Sequence, residues 1–332
     1  MLADGGLAND YWQRYFTPDE VQEIVANTKH THIISGNIPI FVRIYEQPHP
    51  APTVVMAHGM LVYGLILARL QLPFFRAGFN VVQFDLPGLG MSGGPRGGCT
   101  TSDIFHAWRT AVDFAHARYG DPLFAMGVAE DGVTCYYVNA NSSKIRAMSV
   151  HTLFEYGDAR GVHWVGGALK VMVQATGLAV ANAARPTGSV KGTDGIPWGD
   201  VFGGPGDEEF VKTLEGDPLA LQKVEMRMAR SLIRNQPAPV PFDRCRTPIQ
   251  MIASDENRIW PYEMVVENYN RLGGPKEFVR LQGRPQWESN REFHELYCDH
   301  VISWFQDNGA FTTVQPGQQG AAGAWAVRRY PG

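Results

Sequence analysis

The chain lacks any run of about 18 consecutive apolar residues, and its first segment, Met1 to Asp19, has no basic stretch followed by a continuous apolar one. Neither a membrane-spanning helix nor a secretory signal is therefore expected, and the reading is a cytoplasmic protein with no membrane contact. Cysteine is scarce: Cys99, Cys135, Cys245 and Cys298 are widely spaced singles with no C-x-x-C pair. This argues against a zinc cage and a disulfide scaffold and fits a reducing compartment. No metal and no cofactor is expected. Charge of either sign is in little excess, with 29 Lys and Arg against 33 Asp and Glu and a formal net charge of −4. The basic residues are scattered, so nucleic acid is not an expected partner. Gly93-Gly94 and Gly97-Gly98 form a flexible loop without the strand-G-x-G-x-x-G-helix arrangement of a dinucleotide site.

What is present is an ample core: 44% of the 332 residues are hydrophobic. The length exceeds the roughly 100–200 residues of an average domain, and one large domain with an insertion is the simplest organisation. Thr31 to Tyr45 alternates β-favouring residues around Gly36-Asn37, which predicts a hairpin. Short apolar runs at Thr53–Ala57, Phe79–Phe84, Pro122–Val128, Lys144–Val150, Pro248–Ala253 and Glu277–Leu281 read as buried parallel strands. Helical spacing intervenes: a helix capped by Thr101 or Ser102 and ending near Gly120, another from about Glu130, then Tyr262–Leu272 and Ser289–Phe305. Alternating strand and helix predicts an α/β fold, a doubly wound and mostly parallel eight-stranded sheet. Residues 153–245 break the rhythm, with helical patches at Trp164–Ala184 and Leu219–Asn235 around a Gly/Pro-rich stretch from Thr187 to Gly206. The expected organisation is an N-terminal helical extension (1–28), a core (29–152 and 246–308), a cap insertion (153–245) and an extended tail (309–332).

Three motifs follow one another in this frame: His58-Gly59-Met60 after the third strand, Asp85-Leu-Pro-Gly-Leu-Gly-Met-Ser92 after the fourth, and Gly127-Val-Ala-Glu-Asp-Gly132 between the fifth strand and a helix. Together they resemble the α/β-hydrolase family over about residues 30–307. The resemblance implies that fold, a backbone N–H of the His58-Gly59-Met60 turn facing a substrate oxyanion, and a nucleophile on the strained turn after the fifth strand. Gly127 matches the first glycine of the G-x-nucleophile-x-G elbow, so the nucleophile position falls on Ala129, whose methyl group cannot attack a carbonyl. By the same resemblance the acid position, four residues before Pro261, is Asn257, and the histidine position is Gln286. Amides keep hydrogen bonds but transfer no protons near neutral pH. Two alternatives remain open at this point: a nucleophile at Glu130, one residue on, and an acid at Asp255 or Glu256.

A chain without the Ser-His-Asp set is not an ordinary serine hydrolase. The expectation is a non-hydrolytic enzyme, of lyase, isomerase or cyclase type, acting on a hydrophobic carbonyl compound, with Glu130, Asp131 or His151 moving the proton. Three alternatives stand beside it: a catalytically silent module that binds a small ligand or a protein partner, an inactivated variant of an ester, thioester or C–C bond hydrolase, and a hydrolase with Glu130 as nucleophile. Residues of the helix start, such as Glu130 and Asp131, also commonly just stabilise its dipole. His58, Gly59 and Met60 are expected at the oxyanion side of the pocket and Trp260 and Trp287 in its wall; His294 and His300 read as surface or packing residues. A homodimer is left open.

Overall fold

The computed structural model describes residues 9–156, 158–162, 189–191, 198–234 and 236–311. The expected helical patch at 164–184, part of the Gly/Pro-rich stretch (187–188 and 192–197) and the tail from 312 lie outside the described residues. A capping box opens the first long helix, α1 (Pro18–Asn27): the Thr17 side chain accepts from the Glu20 N–H, and Glu20 reaches back to the Thr17 N–H. The chain then enters the hairpin β1 (Thr28–Ser35) and β2 (Ile38–Tyr45), paired antiparallel and turned at Gly36, whose φ is +61°. Glycine adopts that left-handed turn without a Cβ penalty.

The remaining large strands are β3 (Thr53–Ala57), β4 (Asn80–Phe84), β5 (Leu123–Gly127), β6 (Ile145–His151), β9 (Ile249–Ser254) and β10 (Lys276–Leu281), while β7 (Ser189–Lys191) and β8 (Lys223–Glu225) form a separate antiparallel pair. The sheet runs β1-β2-β4-β3-β5-β6-β9-β10, parallel from β4 to β10, and is the α/β-hydrolase sheet that the resemblance implied. Every residue of β3, β4 and β5 is buried, which requires cover on both faces. Helices supply it: α2 (Ala68–Arg76) packs on the last helix, α8 (Arg291–Asp307), and α3 (Thr101–Tyr119) on α4 (Asp131–Asn139). The cap of α3 is Thr100, one residue earlier than read from sequence, because Asp103 completes a capping box with it. Between β6 and β9 stand α5 (Asp207–Glu215) and α6 (Met226–Ile233), and α7 (Tyr262–Arg271) joins β9 to β10.

One buried carboxylate ties distant segments together. Asp217, wholly buried, accepts from the hydroxyls of Tyr11, Tyr15 (2.6 Å) and Tyr63 (2.6 Å) and from the Leu219 N–H (2.8 Å). The N-terminal segment, the loop after β3 and the segment after α5 therefore share one anchor.

Candidate active site

The turn from β5 into α4 carries the unusual backbone. Ala129 sits at φ +54°, a left-handed conformation that costs an L-residue roughly 1–2 kcal/mol, whereas Glu130 has the ordinary helical φ of −62°. Space dictates the glycine before it: a Cβ on Gly127 would lie 2.5 Å from the Asp131 carbonyl oxygen. The strained residue of the elbow is thus Ala129, and Glu130 is the first residue beyond it.

Glu130 is only 4% exposed. Its Oε1 accepts from the Met60 N–H, and its Oε2 lies against Gly59, 3.2 Å from where a Cβ there would stand. Burial pushes its carboxyl up to about 7, against the Met60 N–H and its own backbone N–H, which favour the charged form. The carboxylate therefore occupies the N–H of the His58-Gly59-Met60 turn. It also borders a cavity of about 50 Å³, room for a few waters or for one end of a longer apolar molecule.

The turn itself is held from behind. His58 is buried and does not line the cavity; its Nε2 accepts from the Leu86 N–H at 2.9 Å, which leaves the proton on Nδ1 to donate to the Gly59 carbonyl at 2.8 Å. Burial lowers its pKa, so it is a neutral bracket and not a pocket group. Asp85 does similar work, accepting from the N–H groups of Gly64 and Met91 at 2.8 Å each.

Asp131 and His151 are not brought to the cavity. Neighbouring helical residues diverge by about 100°, so with Glu130 facing inward Asp131 turns towards α3. There its Oδ1 accepts from Trp108 Nε1 at 2.9 Å and from the Thr134 hydroxyl, and burial pushes the carboxyl up to about 8. His151, the last residue of β6, lies between the rings of Trp287 and Tyr297, 5.5 Å from each. Among the described residues neither ring nitrogen has a hydrogen-bond partner, and burial lowers its pKa to about 3, so it stays neutral.

Trp260 and Trp287 do wall the cavity, with Val128, Ala129 and Gly59. Trp260 is fixed by donating Nε1–H to the Gly161 carbonyl at 2.9 Å. Asn257 and Gln286 form a pair: Asn257 Oδ1 accepts from the N–H groups of Ile259 (2.7 Å) and Trp260 (3.0 Å), and its Nδ2 donates to Gln286 Oε1. Gln286 is fully buried and lines the cavity. Asp255 is held elsewhere, by Arg280 Nε at 2.8 Å and the Gly283 N–H at 2.7 Å, which keep its pKa lowered despite some desolvation.

His294 is the residue that sequence reasoning passed over. It is buried, lines the cavity and packs 5.5 Å from the Trp287 ring, with Nδ1 at 2.6 Å from the Asn290 carbonyl oxygen. Burial lowers its pKa to about 4. Its signal was available: Phe293, Tyr297, Val301 and Trp304 recur at helical spacing, and His294 falls within that apolar face. The cavity is completed by Tyr15 and Phe16 from the N-terminal segment and by Val201, Phe202 and Phe210 from the stretch between β6 and β9. Among the described residues no group of three or more His, Cys, Asp or Glu is placed to hold a metal ion, and no helix is long and apolar enough to cross a membrane.

The family described as serine aminopeptidase, S33 matches residues 48–283. Similar solved structures include a monoglyceride lipase from Saccharomyces cerevisiae (soluble variant; TM-score 0.66, 13% identity, 85% of this chain and 95% of that one covered) and a carboxyl esterase from Bacillus coagulans (0.66, 15%, 84% and 98%). A monoacylglycerol lipase from Paleococcus ferrophilus is also similar (0.60, 18%, 80% and 99%). Among curated protein sequences no match was found. The family match corrects the expectation of a non-hydrolytic lyase, isomerase or cyclase, since the family is one of hydrolases; the similar solved structures share the fold.

Proposed function

The chain belongs to the serine aminopeptidase S33 family of α/β-hydrolases, and from that premise we propose that it hydrolyses apolar carboxylic esters with Glu130, not a hydroxyl, as the proton-transferring group. In this reading the family's nucleophile, acid and histidine positions fall on Ala129, Asn257 and Gln286, and the segment that carries Val201, Phe202 and Phe210 acts as the cap over the site. The observation that carries the proposal is the Glu130 carboxyl: buried, beside an apolar cavity, and raised to about 7, where it accepts a proton at neutral pH and returns it.

The chemistry balances without a covalent intermediate. Glu130 Oε2 takes a proton from water, the water oxygen bonds to the acyl carbon, the bond from that carbon to the alcohol oxygen breaks, and the departing alkoxide recovers the proton from Glu130. The products are a carboxylic acid and an alcohol. The substrate class follows from the wall: Trp260, Trp287, Phe202 and Phe210 favour an alkyl or aryl acyl group. Esters of glycerol, which the monoacylglycerol lipase among the similar structures names, are the first compounds to try. The test is release of fatty acid from medium-chain monoacylglycerols. Turnover is expected in the parent protein and its loss in Glu130→Gln; turnover that a serine-directed phosphonate abolishes would refute the reading.

A further inference from the structure

If Glu130 holds the Met60 N–H, the donor that would meet a developing oxyanion is already occupied, and the site needs another. Among the described residues that line the cavity, Gln286 is the buried group with an unused donor: its Nε2 has no partner among the described residues, although Gln286 is fully buried and stands beside Glu130. A buried amide N–H without an acceptor costs roughly 1–3 kcal/mol. Its orientation is fixed by the chain of bonds behind it. Two backbone N–H groups, of Ile259 and Trp260, point at one oxygen of Asn257, so that oxygen is Oδ1 and the opposite atom is the donor Nδ2. Nδ2 requires an acceptor, which makes the facing atom of Gln286 Oε1 and leaves Nε2–H as the unspent end. The bond to Asn257 also polarises the Gln286 amide in the sense that strengthens Nε2–H as a donor.

We propose that Gln286 Nε2–H receives the carbonyl oxygen of the substrate, so that acid–base and oxyanion roles have changed places: the base sits on the turn at Met60, and the oxyanion donor stands where the family carries its histidine. This rests on the ester-hydrolase reading, which makes the ligand a carbonyl compound. Asn257 is the positioning residue, acting on the substrate only through Gln286. The selected ligand is an apolar molecule with a carbonyl oxygen as its polar feature, and an alkyl chain without it forgoes this bond.

The test uses a ligand that cannot turn over. Affinities of 2-octanone and octane, at equal free concentration, are measured by tryptophan fluorescence in the parent, in Gln286→Met and in Gln286→Asn, the last keeping an amide one methylene too short. The ketone-to-alkane affinity ratio is expected to fall about 3- to 10-fold in both variants, the size of one hydrogen bond, with octane affinity held. The carbonyl stretch of bound 2-octanone, lowered in the parent relative to the ketone in hexane, should return towards the hexane value in Gln286→Asn. An unchanged ratio, or parallel loss of both ligands, would overturn the assignment. Should Gln286→Met not fold, Gln286→Asn carries the test. Because neither probe is hydrolysed, the ratio stands or falls independently of ester turnover.

Discussion

Replacing Asp217 by alanine removes the acceptor of three phenol hydroxyls and one backbone N–H in a site with no solvent exposure. Each buried donor left without a partner costs roughly 1–3 kcal/mol. With some of the hydroxyls finding water, the loss should be about 4 kcal/mol, a large fraction of the 5–15 kcal/mol typical of native stability. Urea unfolding at pH 7, followed by tryptophan fluorescence, measures it. With a slope near 3 kcal/mol/M, the midpoint should fall by roughly 1 M. Tyr15→Phe alone should cost about 1 kcal/mol, and the pair should be non-additive because both changes remove the same bond. Tyr15 also walls the cavity, so ligand affinity should weaken in parallel. An Asp217→Ala midpoint equal to that of the parent would refute the view that this carboxylate anchors the N-terminal segment.

Three further outcomes are expected. Gly127→Ala places a Cβ 2.5 Å from the Asp131 carbonyl oxygen, so it should destabilise by about 1–3 kcal/mol and disturb the elbow; a neutral effect in denaturant would refute the close-approach argument. Glu130 is raised from 4.5 to about 7 in the folded protein, so between these values the native state holds a proton the unfolded chain has lost, and its contribution to stability falls as pH rises through that window. Glu130→Gln should therefore gain on the parent by on the order of 3 kcal/mol between pH 4.5 and pH 8, as read from urea midpoints at both; a constant difference would contradict the shift. Ala129→Ser should leave ester turnover within a few-fold of the parent, since Gln286 offers no base to activate the hydroxyl; a large, phosphonate-sensitive gain in a p-nitrophenyl ester assay would contradict that.

The sheet was legible because parallel strands buried on both faces read as uninterrupted apolar runs, and β3 begins and ends at Thr53 and Ala57 as its run does. The elbow was legible too, since only a small residue fits at Gly127 and the motif order fixes Ala129 two residues later. What could not be read is where adjacent side chains point. Glu130 and Asp131 are chemically alike, yet a single helical step sends one to the cavity and the other to Trp108. His151 shares the pleat of Ile145, Ala147 and Ser149, and that alternation carries its ring among Trp287 and Tyr297 and not into the cavity. His58 looked like a pocket residue by its motif, but the demand of the Leu86 N–H for an acceptor turns it inward. His294 needed only closer attention to the buried face of α8.

The most direct test of Glu130 as base is the pH dependence of kcat/KM for a medium-chain monoacylglycerol, in the parent and in Glu130→Gln. A base must be ionised to act, so the parent's rate should rise with pH and level off above about 7, where the buried carboxyl has lost its proton. Glu130→Gln should be slower by roughly 100- to 10,000-fold on the plateau and lose the inflection. An inflection near 7 that persists in Glu130→Gln, with the plateau rate intact, would contradict the assignment.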